Sequence, residues 1–313
     1  MSDLLPSVLV LGGGPDDERA VSLQSAAGVA AALRSTGATV HEATIDRPTI
    51  AELRAMPGDV VFPVLHGAFG EGGPLQDLLD ELGRPYVGCG PSAARVAMDK
   101  IATKLHGAAL GIATKPACVL NIRDGECPLP LPVVVKPVHD GSSVGLHLCR
   151  DRAGWDAAHR AASADIASRP GRAYMIEPLV EGRELTVGVL ERGQGLAALP
   201  LIEIVAASGV YDYAAKYERD DTRYSIRPRL PAGAAERCER AAVTLARAIG
   251  VRHLCRVDFL LDRAGEPWLL EINTMPGFTA HSLVPMGAAG AGMEMPALCA
   301  HLVRAAAGRL ANV

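Results

Sequence analysis

The stretch "CRVDFLLDRAGEPWLLEIN", Cys255 to Asn273, constrains this chain more than any other. Two apolar-rich runs flank Arg263, Ala264, Gly265 and Glu266, a four-residue connection of common hairpin type. Pairing Asp262 with Pro267 sets Val257 opposite Ile272, Phe259 opposite Leu270 and Leu261 opposite Trp268. All six are apolar and share one face, because side chains alternate along a strand. The other face carries Arg256, Asp258, Leu260, Leu269, Glu271 and Asn273, with Asp258 across from Glu271 and Arg256 across from Asn273. Like charges set directly opposite destabilise a sheet, so either Arg256 or a bound cation must offset them. Asp, Glu and Asn offer only oxygen donors, which suit hard Mg²⁺ and not zinc. A solvated outer face with an incidental acid pair is the plain alternative. Two acids, an amide and an arginine running into "TMPGFTAHS" favour the metal.

Residues 7 to about 95 alternate strand and helix: "SVLVLGG", a helix from Glu18 to Leu33, "ATVHEATI", the short helix "TIAELRAM", then "DVVFPVL". This βαβαβ rhythm predicts an α/β fold with a parallel sheet covered by helices. Ligands on such sheets sit at the carboxyl ends of strands, where the loops "GGGPDDE" and "HGAFGEGG" emerge. The central region has α+β character: the helix "DKIATKLHGAAL", two strands joined by a Gly/Ser loop in "LPVVVKPVHDGSSVGLHLC", a helix after Asp151 and the strand "AYMIEPL". Beyond it come "GRELTVGVL", a polar loop from about Glu203 to Arg229, a helix from Pro231 to Ile249, the hairpin, and a helix from Glu294 to Ala307. A chain of 313 residues has room for two or three domains, and the divisions expected are 1–95, 96–180 and 181–313.

Composition narrows the partners. A hydrophobic fraction of 49% with 21% charged residues describes an ordinary globular protein. The net charge of −4, with no basic run, gives no footprint for nucleic acid or a membrane surface. Seven cysteines without a CxxC pair suggest buried thiols in a reducing cytosol, not a disulfide framework or a zinc site. "VLVLGGG" is too short for a signal or a membrane span, and no run of 18 apolar residues occurs, so a cytoplasmic location is expected.

Three further motifs carry chemistry. In "VVVKPVHDGSSVG", Lys136 ends a strand ahead of a loop whose backbone N–H groups and hydroxyls, Ser142 and Ser143 among them, can curl over phosphates. It is not the Walker pattern, since the lysine precedes the glycines. Taken alone the segment is equally a hairpin turn. In "GGGPDDE", Gly12 and Gly14 match a dinucleotide fingerprint but Asp17 stands at its third glycine. Glu18 at the helix start suits an ammonium better than a pyrophosphate. His66 stands at a strand's carboxyl end, where a binding role and a satisfied loop histidine compete evenly. "YDYAAKYERDD", with Tyr211, Tyr213, Lys216 and Tyr217, reads as a lid or a polar surface loop.

Taken in order, "GGGPDDERAVSL", "HGAFGEGG", "MDKIATK", "VVVKPVHDGSSVG", "IEPLVEGRELTVGVL", "YDYAAKY", "CRVDFLL" and "EINTMPGFTAHSLVPM" resemble the D-alanine–D-alanine ligase family of the ATP-grasp superfamily over nearly the whole chain. The resemblance implies a three-domain ATP-grasp fold with ATP between the central and C-terminal domains. Lys100 and Lys136 would contact its phosphates, Glu177 and Val180 the adenine, Glu184 the ribose, and the loop of Ser142 and Ser143 would close over it. Lys216 belongs to the same nucleotide set. Asp258, Glu271 and Asn273 would hold two Mg²⁺, with Mn²⁺ as a substitute. Glu18, with Ser142 and Tyr217, would receive the first D-alanine; Ser282, His66 and the Tyr217 region would bind substrate. Arg256 and the N–H of Gly277 would stabilise an oxyanion. A homodimer is implied as well. The chain departs from the family pattern at Asp16, at Gly72 in Glu71-Gly72-Gly73, and at Ala214, which bears on substrate contacts and the lid.

The reaction so implied joins two D-alanines through an acyl phosphate, for peptidoglycan precursors. A ligase taking D-lactate or D-serine second is the alternative, ranked lower because Tyr217 beside Lys216 matches the alanine-using form. An ATP-binding protein that ligates nothing, and an NAD enzyme, are rivals from other classes.

Overall fold

The computed structural model describes residues 5–141, 144–193, 195–207 and 221–308. Ser142, Ser143, Ala214, Lys216 and Tyr217 lie outside the described residues.

The amino-terminal unit is the parallel sheet that the alternation predicts. β1 (Val8–Gly13), β2 (Val40–Ile45) and β3 (Val60–Pro63) run parallel in the order β2-β1-β3. α1 (Arg19–Ser35) buries Val21, Ser25, Val29 and Leu33, one stripe at helical spacing. α2 (Ile50–Ala55) starts on a capping box of Thr49 and Glu52. Within the "HGAFGEGG" loop the chain forms one short turn, α3 (Gly67–Gly70), where only a loop was expected. Its entry requires Gly67 at φ 78°, since a Cβ there would lie 2.6 Å from the Asp16 side chain. α4 (Pro74–Leu82) packs in this unit, while α5 (Pro91–Met98) buries Ala93 and Ala97 in the core of the carboxy-terminal sheet; each helix has proline in its first turn.

α6 (Lys100–Ala109) enters the central region, its first N–H groups taken by Asp99 at 2.8 and 2.9 Å. β4 (Cys118–Val119), β5 (Val133–Pro137), β6 (His147–Cys149) and β7 (Tyr174–Pro178) form an antiparallel sheet in the order β4-β7-β5-β6. β5 and β6 are the two strands expected around the Gly/Ser loop. α7 (Arg152–Ser168), capped by Asp151, packs Trp155 on this sheet.

The third sheet has six strands: β8 (Gly182–Arg192), β9 (Gly195–Ala198), β10 (Ile202–Val205), β11 (Arg223–Ile226), β12 (Leu254–Asp262) and β13 (Pro267–Asn273). Its order is β11-β10-β8-β12-β13, with β9 paired to β8. β10 and β11 occupy the ends of the segment read as a polar loop from Glu203 to Arg229, which corrects that expectation. α8 (Ala234–Ala248) covers the inner face, and α9 (Leu283–Gly290) and α10 (Met295–Gly308) close the chain. α10 packs on α1 and β3, and α9 on β8 and α10, so that one core joins Val8, Val29 and Phe62 to Phe278, Leu298 and Val303. Edge-to-face contact of Phe62 with Phe278, 5.4 Å between centroids, pins the 274–282 segment over the parallel sheet.

The hairpin keeps its expected register over Arg256↔Asn273, Val257↔Ile272 and Asp258↔Glu271, then slips. A bulge sets Phe259 against Leu269, Leu260 against Trp268 and Leu261 against Pro267. Leu269, expected on the polar face, is therefore buried in the core, while Leu270 and Trp268, expected inside, are only half-buried. The Leu269 N–H turns away from β12 to donate to the Ala113 carbonyl at 2.9 Å, which accounts for the slip. Cysteine burial also needs correction: Cys118 and Cys127 are half-buried, the other five buried, and all seven are free thiols.

Candidate functional site

The polar faces of the second and third sheets enclose a cleft of about 520 Å³. Lys100, Lys136, Glu177, Val180, Glu184, Asp258 and Glu271, seven residues singled out from the sequence, all line it. The bulge matters here, because it presents Leu270 as well as Glu271 to the cleft instead of alternating them.

Asp258 and Glu271 do face each other across the hairpin. Each acid carries its own cation. Arg256 holds Asp258 from Nε to Oδ1 at 3.0 Å and from Nη2 to Oδ2 at 2.9 Å, a two-point contact. Thr186, paired with Asp258 across β8 and β12, donates its hydroxyl to Oδ1 at 2.6 Å. Glu271 receives the Lys100 ammonium at 3.3 Å, and the same nitrogen donates to the Asp140 carbonyl at 2.5 Å. Asn273 Oδ1 accepts the Met275 N–H at 3.1 Å, which fixes that amide oxygen beside the acids. The opposed charges are thus met by Arg256 on one side and Lys100 on the other. The donor set is two carboxylates and one amide, all oxygen, as a hard divalent cation requires. No group of three or more His, Cys, Asp or Glu side chains that could hold a metal ion occurs among the described residues.

On the opposite wall Glu177, 4% exposed, sits between two ammoniums: Lys136 Nζ at 2.5 Å and Lys104 Nζ at 2.6 Å. Burial alone would raise the Glu177 carboxyl; Lys136 and Lys104 more than offset it and hold it below the ordinary glutamate range.

A second group adjoins the cleft at the carboxyl ends of β1 and β3. Glu18 reaches the Gly/Ser loop, where a Cβ on Gly141 would lie 2.8 Å from Glu18 Oε2. His66 is buried and bonds through Nδ1 to the Met275 carbonyl at 3.0 Å. A carbonyl only accepts, so Nδ1 carries the proton and Nε2 presents a lone pair, without a partner among the described residues. Burial depresses the imidazole, partly countered by the Glu18 charge. Glu71 accepts N–H bonds from Gly67 at 3.2 Å and Met275 at 3.3 Å, and burial followed by Glu18 repulsion pushes its carboxyl up to about 8. Asp16 receives the Phe69 N–H at 2.8 Å, tying the first loop to the second. Ser282 accepts the Thr279 N–H at 2.9 Å, and its Oγ lies 2.8 Å from where a Gly277 Cβ would stand.

The family model for the D-ala D-ala ligase C-terminus matches residues 120–304, more than half the chain and all of this cleft's third sheet. The chain belongs to the D-alanine–D-alanine ligase family. The model for the N-terminus of the D-alanine–D-alanine ligases matches residues 47–89. The chain is 42% identical to the D-alanine–D-alanine ligase of Bordetella avium over 315 aligned positions, covering 99% of this chain and 98% of that one. It is 42% identical to that of Anaeromyxobacter dehalogenans, covering 96% of each. Among solved structures, the D-alanine–D-alanine ligase of Coxiella burnetii superposes with a TM-score of 0.81 at 25% identity, over 99% of this chain and 96% of that one. VanG, a D-Ala:D-Ser ligase of Enterococcus faecalis, gives 0.80 at 27%, over 95% and 98%. The expected mixed α/β ATP-grasp architecture agrees with these neighbours. Family membership brings ATP and a divalent metal with it.

Sequence reading had missed Thr186, Asp140 and Lys104. Lys104 alone had left a legible sign: α6 buries Lys100, Thr103, Lys104 and Gly107, a helix stripe normally apolar, with two lysines on it.

Proposed function

We propose that this protein joins two D-alanines into D-alanyl-D-alanine with cleavage of ATP, as a cytoplasmic homodimer supplying peptidoglycan synthesis. The convergence of Lys100, Lys136, Glu177, Asp258 and Glu271 on one cleft, in a chain 42% identical to named D-alanine–D-alanine ligases, carries this reading. ATP lies between the second and third sheets, with Glu177 and Val180 at the adenine and Glu184 at the ribose. Lys100 and Lys136 turn to the phosphates, with Ser142, Ser143 and Lys216 assigned to the same nucleotide. Divisions at about 95 and 180, in our reading, leave one sheet in each part, the first of them falling within α5.

The chemistry begins with two anions, a D-alanine carboxylate and the γ-phosphate, that must meet. Lys136 and Arg256 lower the repulsion, and Glu18, with Ser142 and Tyr217, anchors the first substrate's ammonium. Asp258, Glu271 and Asn273 would hold the divalent metal, two Mg²⁺ in our reading with Mn²⁺ as substitute, which supplies charge neutralisation at the phosphates. The acyl phosphate is then attacked by the second D-alanine's amine. An α-amino group of pKa ~8 is mostly protonated at pH 7, so a proton must leave first. His66 Nε2, buried and without a partner among the described residues, suits that amine, while Ser282 binds its carboxylate. Arg256 and the Gly277 N–H face the developing oxyanion. Water must be kept from the acyl phosphate while the amine attacks.

The test is phosphate release from ATP against a panel of D-alanine, D-serine and D-lactate offered with D-alanine. D-alanine alone is expected to support turnover best. Release with D-serine or D-lactate exceeding it would overturn the assignment of the second substrate; ATP binding without any D-alanine-dependent release would overturn the ligase reading.

A further inference from the structure

Lys104 has no part in the reading above, although it is buried at 5% exposure within the cleft wall. It stands one turn beyond Lys100 on the face of α6 that packs on the hairpin, where a Cβ on Gly107 would lie 2.7 Å from Leu269. Its ammonium sits 2.6 Å from one oxygen of Glu177, and Lys136 is 2.5 Å from the other. Two cations therefore share one buried anion. That arrangement has a consequence once Lys136 moves toward phosphate. With a single partner, the departure would leave a buried carboxylate uncompensated; such a group takes up a proton and ceases to be a pure acceptor.

We propose that Lys104 is a positioning residue for nucleotide recognition: it keeps Glu177 ionised and aimed into the cleft while Lys136 serves the phosphates, so that Glu177 accepts from the exocyclic amine of the purine. The proposal rests on the reading of this cleft as the ATP site. An ionised carboxylate accepts from the 6-amino group of adenine and repels the 6-oxygen of hypoxanthine, so Lys104 acts on base selectivity without touching the base. The displacement of Glu177 below the ordinary glutamate range, caused by both lysines against its burial, accords with this.

The experiment compares Lys104→Met and Lys104→Arg with the parent, using ATP and ITP. Lys104→Met is expected to raise KM for ATP roughly tenfold, the scale of one charge-assisted hydrogen bond, and to narrow the ATP-over-ITP preference. KM for D-alanine should stay within about twofold, because the substrate end is not addressed. Lys104→Arg should restore most of the preference. In a Glu177→Gln background the Lys104→Met change should add little, since Lys104 acts through that carboxylate. A folded Lys104→Met protein with unchanged KM for ATP and unchanged preference overturns the proposal, as does an equal loss in the Glu177→Gln background. Should Lys104→Met fail to fold, the double variant, which removes both members of the Lys104–Glu177 pair, is compared with Glu177→Gln: equal ATP-to-ITP ratios support the role and a further fall overturns it. Equilibrium binding of ATP and ITP separates the two readings. A parent that binds ATP yet releases no phosphate with D-alanine sinks the ligase reading and leaves the Lys104 comparison standing; a parent that binds neither nucleotide sinks both.

Discussion

Replacing Arg256 by alanine is expected to lower turnover by roughly 10²–10³, the scale for losing one oxyanion donor. Its guanidinium is held in plane by the two-point contact with Asp258 and projects from β12 opposite Asn273. Removal does two things at once. A positive charge is lost where two anions must approach, and Asp258 is left facing Glu271 without its counterion. Arg256→Lys should recover only part of the loss, because an ammonium cannot reproduce the planar fork. Steady-state phosphate release at saturating ATP, metal and D-alanine measures this. Turnover within a few-fold of the parent for Arg256→Ala would remove the residue from the chemistry.

Asp258→Asn should raise the Mg²⁺ needed for half-maximal activity, by roughly 10–100-fold on the scale known for perturbed metal shells. The side chain is nearly isosteric, and its remaining oxygen can still take the Thr186 hydroxyl, bonded at 2.6 Å in the parent. The fold should therefore hold while the ligand charge is lost. A metal titration of activity reads the effect, alongside a melting curve. An unchanged half-saturating Mg²⁺ concentration would place the metal elsewhere.

What could be read in the sequence depended on how local the deciding physics was. The parallel βαβαβ sheet was legible because each strand is bounded by turns and each helix carries its own stripe. The Asp258–Glu271 pairing was legible because the alternation of Val257 and Ile272 leaves no other register at that end. Past Asp258 the runs Leu260-Leu261 and Leu269-Leu270 bury equally well in either register. The choice fell to a distant partner, the Ala113 carbonyl, and no hairpin pattern announces it. β10 and β11 do alternate, with Ile202 opposite Ile226 and Ile204 opposite Tyr224 interleaved with the pairs of Glu203 with Ser225 and Val205 with Arg223, but four residues each inside a polar stretch read as loop. At the site, Lys136, Glu177 and the hairpin acids came from motifs, whereas Thr186 is an ordinary strand residue until β12 is laid beside it. His66 gained its standing from the Met275 carbonyl, 209 positions away, which fixes its tautomer.

Isotope tracing from carboxylate-labelled D-alanine tests the proposed chemistry most directly. When both carboxylate oxygens are ¹⁸O, attack on the γ-phosphate and later cleavage of the acyl C–O bond must leave one labelled oxygen in each phosphate released with dipeptide. Mass spectrometry of that phosphate should show the single label. Unlabelled phosphate accompanying dipeptide would contradict an acyl phosphate formed in this cleft, and with it the roles assigned to Lys136, Arg256 and the paired acids.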